Sequence, residues 1–172
     1  MYFTIFDLIL LFLLFLFISF SFYMGFIAAV GSLLGVVVGT WAAGHFYAPV
    51  TEWLTPILLG NQNMASVVSF ILIFTLVNRA LGLAFWLVSK VLKPFSIIPF
   101  SKIINRILGA ILGLVEGVLA LGIALYFIER FNFSDWFANI LASSQVASWL
   151  IWAGNILTPL LPEVVRAVQA VI

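Results

Sequence analysis

Two side chains of opposite charge are the residues of this sequence best placed to do chemistry. Arg79 lies eleven residues before Lys90, and Glu116 lies ten residues after Arg106, each inside a long apolar stretch. At a helical rise of about 1.5 Å per residue, both would lie roughly 15 Å from the same end of an antiparallel helical hairpin. If these stretches cross a bilayer, an unpaired charge at that depth costs at least about 2.5 kcal/mol. We therefore predict an ion pair between Arg79 and Glu116 within the membrane.

The predicted ion pair has a structural and a functional interpretation, and the sequence leaves both open. As a structural device, the pair would fix the register of the two helices, because breaking a buried pair leaves an uncompensated charge. As a functional device, it would line a polar pathway together with Asn78 and Thr75, since ionisable residues inside a membrane mark ion and substrate routes.

Other catalytic and metal-binding constellations lack parts. His45 is the only histidine, and the chain contains no cysteine. A zinc site needs three or four convergent ligands, and nucleophilic catalysis needs a nucleophile beside a base. We therefore expect no enzyme activity, no cofactor and no metal.

The elements that must carry the two charges are transmembrane helices. Hydrophobic residues make up 65% of the 172 residues and charged residues 8%, against about a quarter charged in a soluble domain. Because one span needs about twenty apolar residues, the chain has room for four or five. The net charge of +1 gives no reason to expect a nucleic-acid partner. The sequence predicts an all-α membrane protein whose surroundings are the lipid bilayer.

Four spans are predicted in a transmembrane domain of residues 1–130. Breaks are expected at the polar cluster Ser19–Gly25, at a loop rich in proline, glycine and asparagine, and at a basic connection. Asp7, near the start of the first span, is expected to reach the membrane interface. The predicted spans cover residues 3–20, 26–46, 65–88 and 101–128.

Residues 131–172 are predicted to form an amphipathic helical tail at the membrane interface, where Trp149 and Trp152 suit the headgroup region. A long uncharged segment in this region would also suit a fifth span, and that alternative stays open. Against a span stand amide and hydroxyl side chains that are costly in hydrocarbon without partners. They are Asn139, Ser143, Ser144, Gln145, Ser148 and Asn155.

The basic residues predict the orientation. The connection of residues 89–106 contains Lys90, Lys93, Lys102 and Arg106 and no acid. The positive-inside rule places such a loop in the cytoplasm. Both chain termini would then lie on the outer side.

Two columns of glycine occupy every fourth position of the second and fourth spans. Small residues let helix backbones approach closely, and close packing holds helices together where no hydrophobic force does. We expect glycine-zipper packing of the second span against the fourth within one monomer, with an oligomer interface as the alternative. The columns are Gly31, Gly35 and Gly39 in the second span and Gly109, Gly113 and Gly117 in the fourth.

The fourth span also carries a motif that resembles a known family. Residues 105–117 read NRILGAILGLVEG, which is similar to the glycine-rich signature of the colicin V production protein (CvpA) family of small bacterial inner-membrane proteins. Weaker similarities extend over most of the chain. The motif positions are Asn105, Arg106, Gly109, Gly113 and Gly117, and the weaker ones are Asp7, Gly25-Phe26, Asp135-Trp136 and Ser143-Ser144.

The chain departs from this family pattern at several positions. Family members often carry basic residues around the first turn and a charged pair soon after it, where this chain has Met24, Ala28 and Ala29. Many have Asp in place of Asn105 and Arg in place of Glu116. Such variation argues against a fixed catalytic or ion-relay residue at those two positions.

The resemblance implies a multi-pass protein of the bacterial plasma membrane that supports production or export of a colicin V-type toxin and, more broadly, envelope function. It would be non-enzymatic and act within an assembly, with a membrane-protein partner or further copies of itself. The alternative is a small transporter or channel whose polar path passes Arg79, Glu116 and Asn78. That path would need an oligomer or a partner, because four helices enclose little space.

Overall fold

The computed structural model describes residues 4–92, 102–131 and 134–163. The start of the first predicted span, Lys93 in the basic connection and the end of the tail lie outside the described residues. The helices are α1 (Ile5–Met24), α2 (Phe26–Leu54), α3 (Gln62–Leu92), α4 (Lys102–Phe131), α5 (Asp135–Ser143) and α6 (Gln145–Gly154), followed by a 3-10 helix, Asn155–Leu160. Four of them, α1 to α4, are long and apolar enough to cross a membrane, which confirms the predicted all-α membrane fold.

The helices extend beyond the predicted spans. α1 runs through the predicted turn and breaks only at Gly25, whose φ of +88° lies in the region that favours glycine. α2 continues through Pro49 to Leu54. There the hydroxyls of Thr51 and Thr55 donate to carbonyls four residues back, at 2.9 and 2.7 Å. Serine and threonine thus lie inside these helices, because their hydroxyls find partners one turn away or on another helix.

Successive long helices run antiparallel, so the bundle has two ends. We call the end at the α1–α2 turn the Gly25 end; it also contains the end of α3 and the start of α4. The opposite end, which we call the Leu54 end, holds the start of α1, the end of α2, the start of α3 and the end of α4.

The core lies toward the Leu54 end and is built around stacked aromatic rings. The ring centroids of Phe70 and Phe127 are 4.0 Å apart, and those of Phe127 and Phe131 are 4.5 Å apart. Phe70 and Phe127 are fully buried, with Val36, Ala43 and Ile123 beside them. Residues from α2, α3 and α4 therefore meet in one cluster, and Leu157 and Leu161 of the tail complete it.

The glycine column of α2 lies against α3. A Cβ added at Gly35 would come within 3.0 Å of the Cα of Asn78, and one added at Gly39 within 3.2 Å of the carbonyl oxygen of Phe74. A Cβ at Gly31 would collide with Phe85. The two backbones are thus close enough that only hydrogen fits between them.

The glycine column of α4 lies against α1. A Cβ at Gly109 or Gly113 would come within 2.5 Å of Ser21, and one at Gly117 within 3.0 Å of Phe17. The sequence predicts that the two columns join the second span to the fourth. α2 and α4 do touch, but the columns meet α3 and α1 instead. A column of small residues specifies a close approach without specifying which helix makes it.

The tail bends by 93° between α5 and the segment Gln145–Leu160, which contains α6 and the 3-10 helix. α6 buries Ala147, Leu150 and Ala153 and crosses α4 where Gly122 meets Gly154, so closely that a Cβ on either would collide with the other backbone. Trp149 and Trp152 point outward, at 70% and 69% exposure. The bent pair is together long and apolar enough to form a broken span or a re-entrant segment, so the fifth span stays an alternative to an interfacial tail.

Candidate functional site

The candidate site is a polar cluster around the carboxyl group of Glu116. Glu116 is 3% exposed and lies between Gly113 and Gly117 in sequence, on the part of α4 that the glycines bring close to α1. Ser21 Oγ on α1 donates to Glu116 Oε2 at 3.4 Å. The side chain of Asn78 on α3 forms a second hydrogen bond with the same carboxyl. Three helices therefore each contribute one polar side chain to this point.

Arg79 follows Asn78 on α3 but is exposed rather than buried. Its Cζ lies 5.0 Å from the ring centroid of Phe20, and its charge acts on Glu116 through space. The sequence placed these two residues at similar depth, and a direct ion pair between them stays a prediction.

A cavity of about 90 Å³ lies beside this cluster, toward the Gly25 end. α2 forms its floor between α1 and α3. Its polar lining comes from Ser21, Ser32 and Arg79, and the rest of the lining is apolar. The full lining is Phe20, Ser21, Met24, Ala28, Ala29, Ser32, Arg79, Gly82 and Leu83.

The chemistry available at this site is that of binding. The guanidinium of Arg79 and the hydroxyl of Ser32 can donate hydrogen bonds to an anionic or polar group in the cavity, whereas the hydroxyl of Ser21 already donates to Glu116. Within residues 4–92, 102–131 and 134–163, no three His, Cys, Asp or Glu side chains come together as metal ligands. The expectation of no metal, no cofactor and no catalysis stays a prediction.

A second polar cluster surrounds Asp7 at the opposite end of the bundle. Thr4 N–H and Thr4 Oγ1 each donate to Asp7 Oδ2 at 2.7 Å, which caps the start of α1. Ser144 Oγ donates to Asp7 Oδ1 at 2.6 Å, and Val146 N–H donates to the same oxygen at 2.9 Å. One carboxylate thus satisfies the N-termini of two helices, α1 and α6.

This arrangement corrects the expectation that Asp7 reaches the membrane interface. The residue is 0% exposed. Four donors surround its two oxygens, so the carboxylate has no need of water. The sequence contains the capping residues Thr4 and Ser144, but no spacing rule connects a carboxylate to a helix that starts 138 positions later.

The family-like motif contributes a third contact between distant segments. Asn105 Oδ1 accepts a hydrogen bond of 3.2 Å from the N–H of Phe26, the first residue of α2. Gly25 lies against the same side chain, since a Cβ there would collide with Asn105. Arg106 Cζ lies 5.7 Å from the ring centroid of Phe22. Asn105, Arg106 and the glycines of α4 therefore hold the turn between α1 and α2.

The comparisons with known proteins identify one family. A family model described as colicin V production protein matches residues 6–155, which is most of the chain. No curated protein and no solved structure matches the chain. The matched range includes the cluster around Glu116, the contact made by Asn105, and Asp7 with its partners in the tail.

Proposed function

The chain belongs to the colicin V production protein family, and from this membership we propose that it supports the production or export of a peptide toxin and the function of the bacterial envelope. The single observation that carries the proposal is the family match across all four long helices and most of the tail. The structure adds that the matched region is a multi-pass membrane domain.

We further propose that the protein acts by binding rather than by catalysis, as part of an assembly in the plasma membrane. Only 17% of the apolar segment of α1 is buried against the rest of the chain. Large apolar side chains cover its outer surface, and a membrane-protein partner or a second copy would pack on such a surface through close contacts. Ile5, Leu8, Phe12 and Phe15 are among them, at 80%, 61%, 59% and 61% exposure.

A complementation experiment tests the toxin role. The full chain is expressed in a bacterium that secretes a peptide toxin and lacks its own family member, and the secreted toxin is measured. We expect secretion to return. If the protein reaches its native level in the membrane and secretion does not return, the proposal is contradicted.

A purification in mild detergent tests the assembly. Mass spectrometry of the proteins that remain bound in stoichiometric amount should identify an envelope or export component, or show a homo-oligomer. A monomer without bound protein, purified from membranes in which complementation succeeds, would contradict it.

The orientation can be tested directly because the chain contains no cysteine. We propose that residues 89–106 face the cytoplasm and that both termini face outward. Asn61 and Lys102 are exposed at opposite ends of the bundle. With an impermeant maleimide, Asn61→Cys should be labelled in intact cells and Lys102→Cys only after lysis. The reverse pattern would invert the topology.

A second candidate function is transport, favoured by one observation. Glu116, Asn78, Ser21 and Arg79 form a polar cluster next to a cavity inside a transmembrane bundle. If this cluster conducts ions or protons, liposomes containing the purified protein will show flux that Glu116→Gln abolishes. Glu52→Gln is the matched control, because Glu52 is an exposed carboxylate outside the cluster. Equal flux in empty and protein-containing liposomes would exclude this candidate.

A further inference from the structure

The guanidinium of Arg79 lies nearer the membrane surface than its backbone does. On α3, the neighbouring Asn78 backbone packs against Gly35, which is ten residues from Gly25 and so about 15 Å from that end at 1.5 Å per residue. The guanidinium, however, lies over Phe20, five residues from Gly25 and so about 8 Å from the same end. The side chain therefore extends toward the Gly25 end, as arginine does when it snorkels.

The guanidinium is exposed and has donors to spare. It carries five N–H groups, and among the described residues its contacts are the Phe20 ring and the longer-range attraction to Glu116. Glu116 itself is buried and accepts hydrogen bonds from Ser21 and Asn78. An arginine that faces hydrocarbon without a bound acceptor is costly, so this position calls for an anion.

The cavity next to Arg79 suits a small anionic head with an apolar tail. Its volume is about 90 Å³. Ser32 supplies a hydroxyl donor inside it, whereas the hydroxyl of Ser21 already donates to Glu116. Phe20 and Leu83 at its rim are 45% and 52% exposed, so the opening faces the region that lipid chains occupy.

The charge at the Gly25 end complements the same ligand. The described cations there are Lys90, Lys102 and Arg106, and no described acid lies at the exposed surface of this end. Such a surface attracts anionic lipids by about 1 kcal/mol for each basic residue. An anionic lipid would therefore be concentrated next to the opening of the cavity.

From these observations we propose that the cavity between α1 and α3 binds the phosphate of an anionic phospholipid, held by Arg79 and by the hydroxyl of Ser32. Arginine matches a phosphate with two parallel N–H···O bonds, which a lysine ammonium cannot reproduce. The acyl chains would lie along the exposed side chains of Phe20 and Leu83. The site concerns lipid binding and does not depend on the proposed role in toxin production.

The test compares two lipids that differ in the phosphate headgroup. The delipidated full chain in detergent is titrated with dioctanoyl-phosphatidylglycerol and with dioctanoylglycerol, and bound lipid is counted by native mass spectrometry. The phospholipid should bind at least about tenfold more tightly, which corresponds to about 1.4 kcal/mol. Arg79→Gln should remove this preference, Arg79→Lys should retain part of it, and Lys102→Gln should leave it unchanged.

Ser32→Ala keeps the test informative if substitution of Arg79 disturbs folding. It removes one hydroxyl from the cavity without changing any charge, and a loss of about threefold in affinity is expected. Circular dichroism verifies that each variant is folded.

Four outcomes would overturn the proposal. The first is equal affinity of the wild-type chain for the two lipids, and the second is an unchanged preference in folded Arg79→Gln. The third is displacement of the phospholipid by an equal concentration of inorganic phosphate, which would indicate a site for free phosphate. The fourth is disulfide-linked dimers of Leu83→Cys that exclude the phospholipid, which would indicate that a second copy occupies the groove.

Discussion

Replacing Asp7 with asparagine changes one atom of the side chain and should nevertheless destabilise the bundle strongly. All four groups around the Asp7 carboxylate are donors, two for each oxygen. An asparagine side chain at this position would present one oxygen and one NH₂ group. Whichever way the amide turns, its NH₂ must face a backbone N–H, either of Thr4 or of Val146.

The expected magnitude follows from these contacts. Asparagine retains the two hydrogen bonds on its oxygen, but these bonds weaken because the acceptor is no longer charged. A hydrogen bond to a charged group contributes about 1.5–3 kcal/mol to stability, and one between neutral groups contributes about 1 kcal/mol. The opposing backbone N–H is left unsatisfied, at about 1–3 kcal/mol. The hydroxyl of Thr4 or Ser144 can accept from the new NH₂ and offset part of this loss. We expect a net destabilisation of about 2–4 kcal/mol.

Two assays measure this effect. Unfolding in mixed micelles of increasing sodium dodecyl sulfate content gives the change in global stability. Local release of the tail is measured by maleimide labelling of Leu150→Cys, because Leu150 is 2% exposed and the natural chain has no competing thiol. If opening of the tail exposes this thiol, a destabilisation of about 2–4 kcal/mol makes the labelling rate in Asp7→Asn about 30 to 1000 times higher than with the natural Asp7.

Asp135→Asn is the matched control, because Asp135 is an exposed aspartate in the first turn of α5. Its replacement should cost less than about 1 kcal/mol, the range of a charge near a helix N-terminus. A cost for Asp7→Asn no larger than that of the control would refute the reasoning. So would a lower global stability without faster labelling of Leu150→Cys, because the tail would then not depend on Asp7.

Three further predictions use the same unfolding assay. Gly122→Ala should cost about 1–3 kcal/mol of stability because the new methyl group meets backbone atoms. Gly82→Ala should be near neutral because its methyl group meets the Ser32 hydroxyl, which can rotate. Equal costs for the two variants would contradict this prediction. Asn105→Ala should cost about 0.5–2 kcal/mol through loss of the cap on α2, and an unchanged midpoint would show that the cap is not needed. Glu116→Gln and Arg79→Gln should each destabilise the protein, and the double variant should recover about 0.5–3 kcal/mol relative to their sum; additive losses would show that the two charges do not interact.

The four membrane-spanning helices could be predicted because their signal is local. A run of about twenty apolar residues has one stable arrangement in a bilayer, and the sequence contains four such runs before the tail. The helix ends were less predictable. Ser21 resembled part of a turn, but its hydroxyl bonds to Glu116 on another helix, and that partner is 95 positions away.

The contacts between helices were harder to predict, since they depend on pairs of residues far apart in sequence. The glycine columns indicated close approach but not the helix that would provide it. Depth alone placed Arg79 near Glu116, while the three-dimensional arrangement brought Asn78 and Ser21 to the carboxyl. Asp7 belongs to the same class, because its environment is assembled from both ends of the chain.

Asp7 and Ser144 are separated by 137 positions, so they leave the ribosome at different times. At about 5–20 residues per second, Ser144 is synthesised about 7–27 s after Asp7. During that interval Thr4 can already cap α1, but Oδ1 of Asp7 has neither of its donors from the tail, and water at the membrane surface must hydrate it. Docking of α6 then removes that water. Closure of the bundle at this end is therefore a late event in biogenesis, and it couples burial of the first helix's carboxylate to synthesis of the tail.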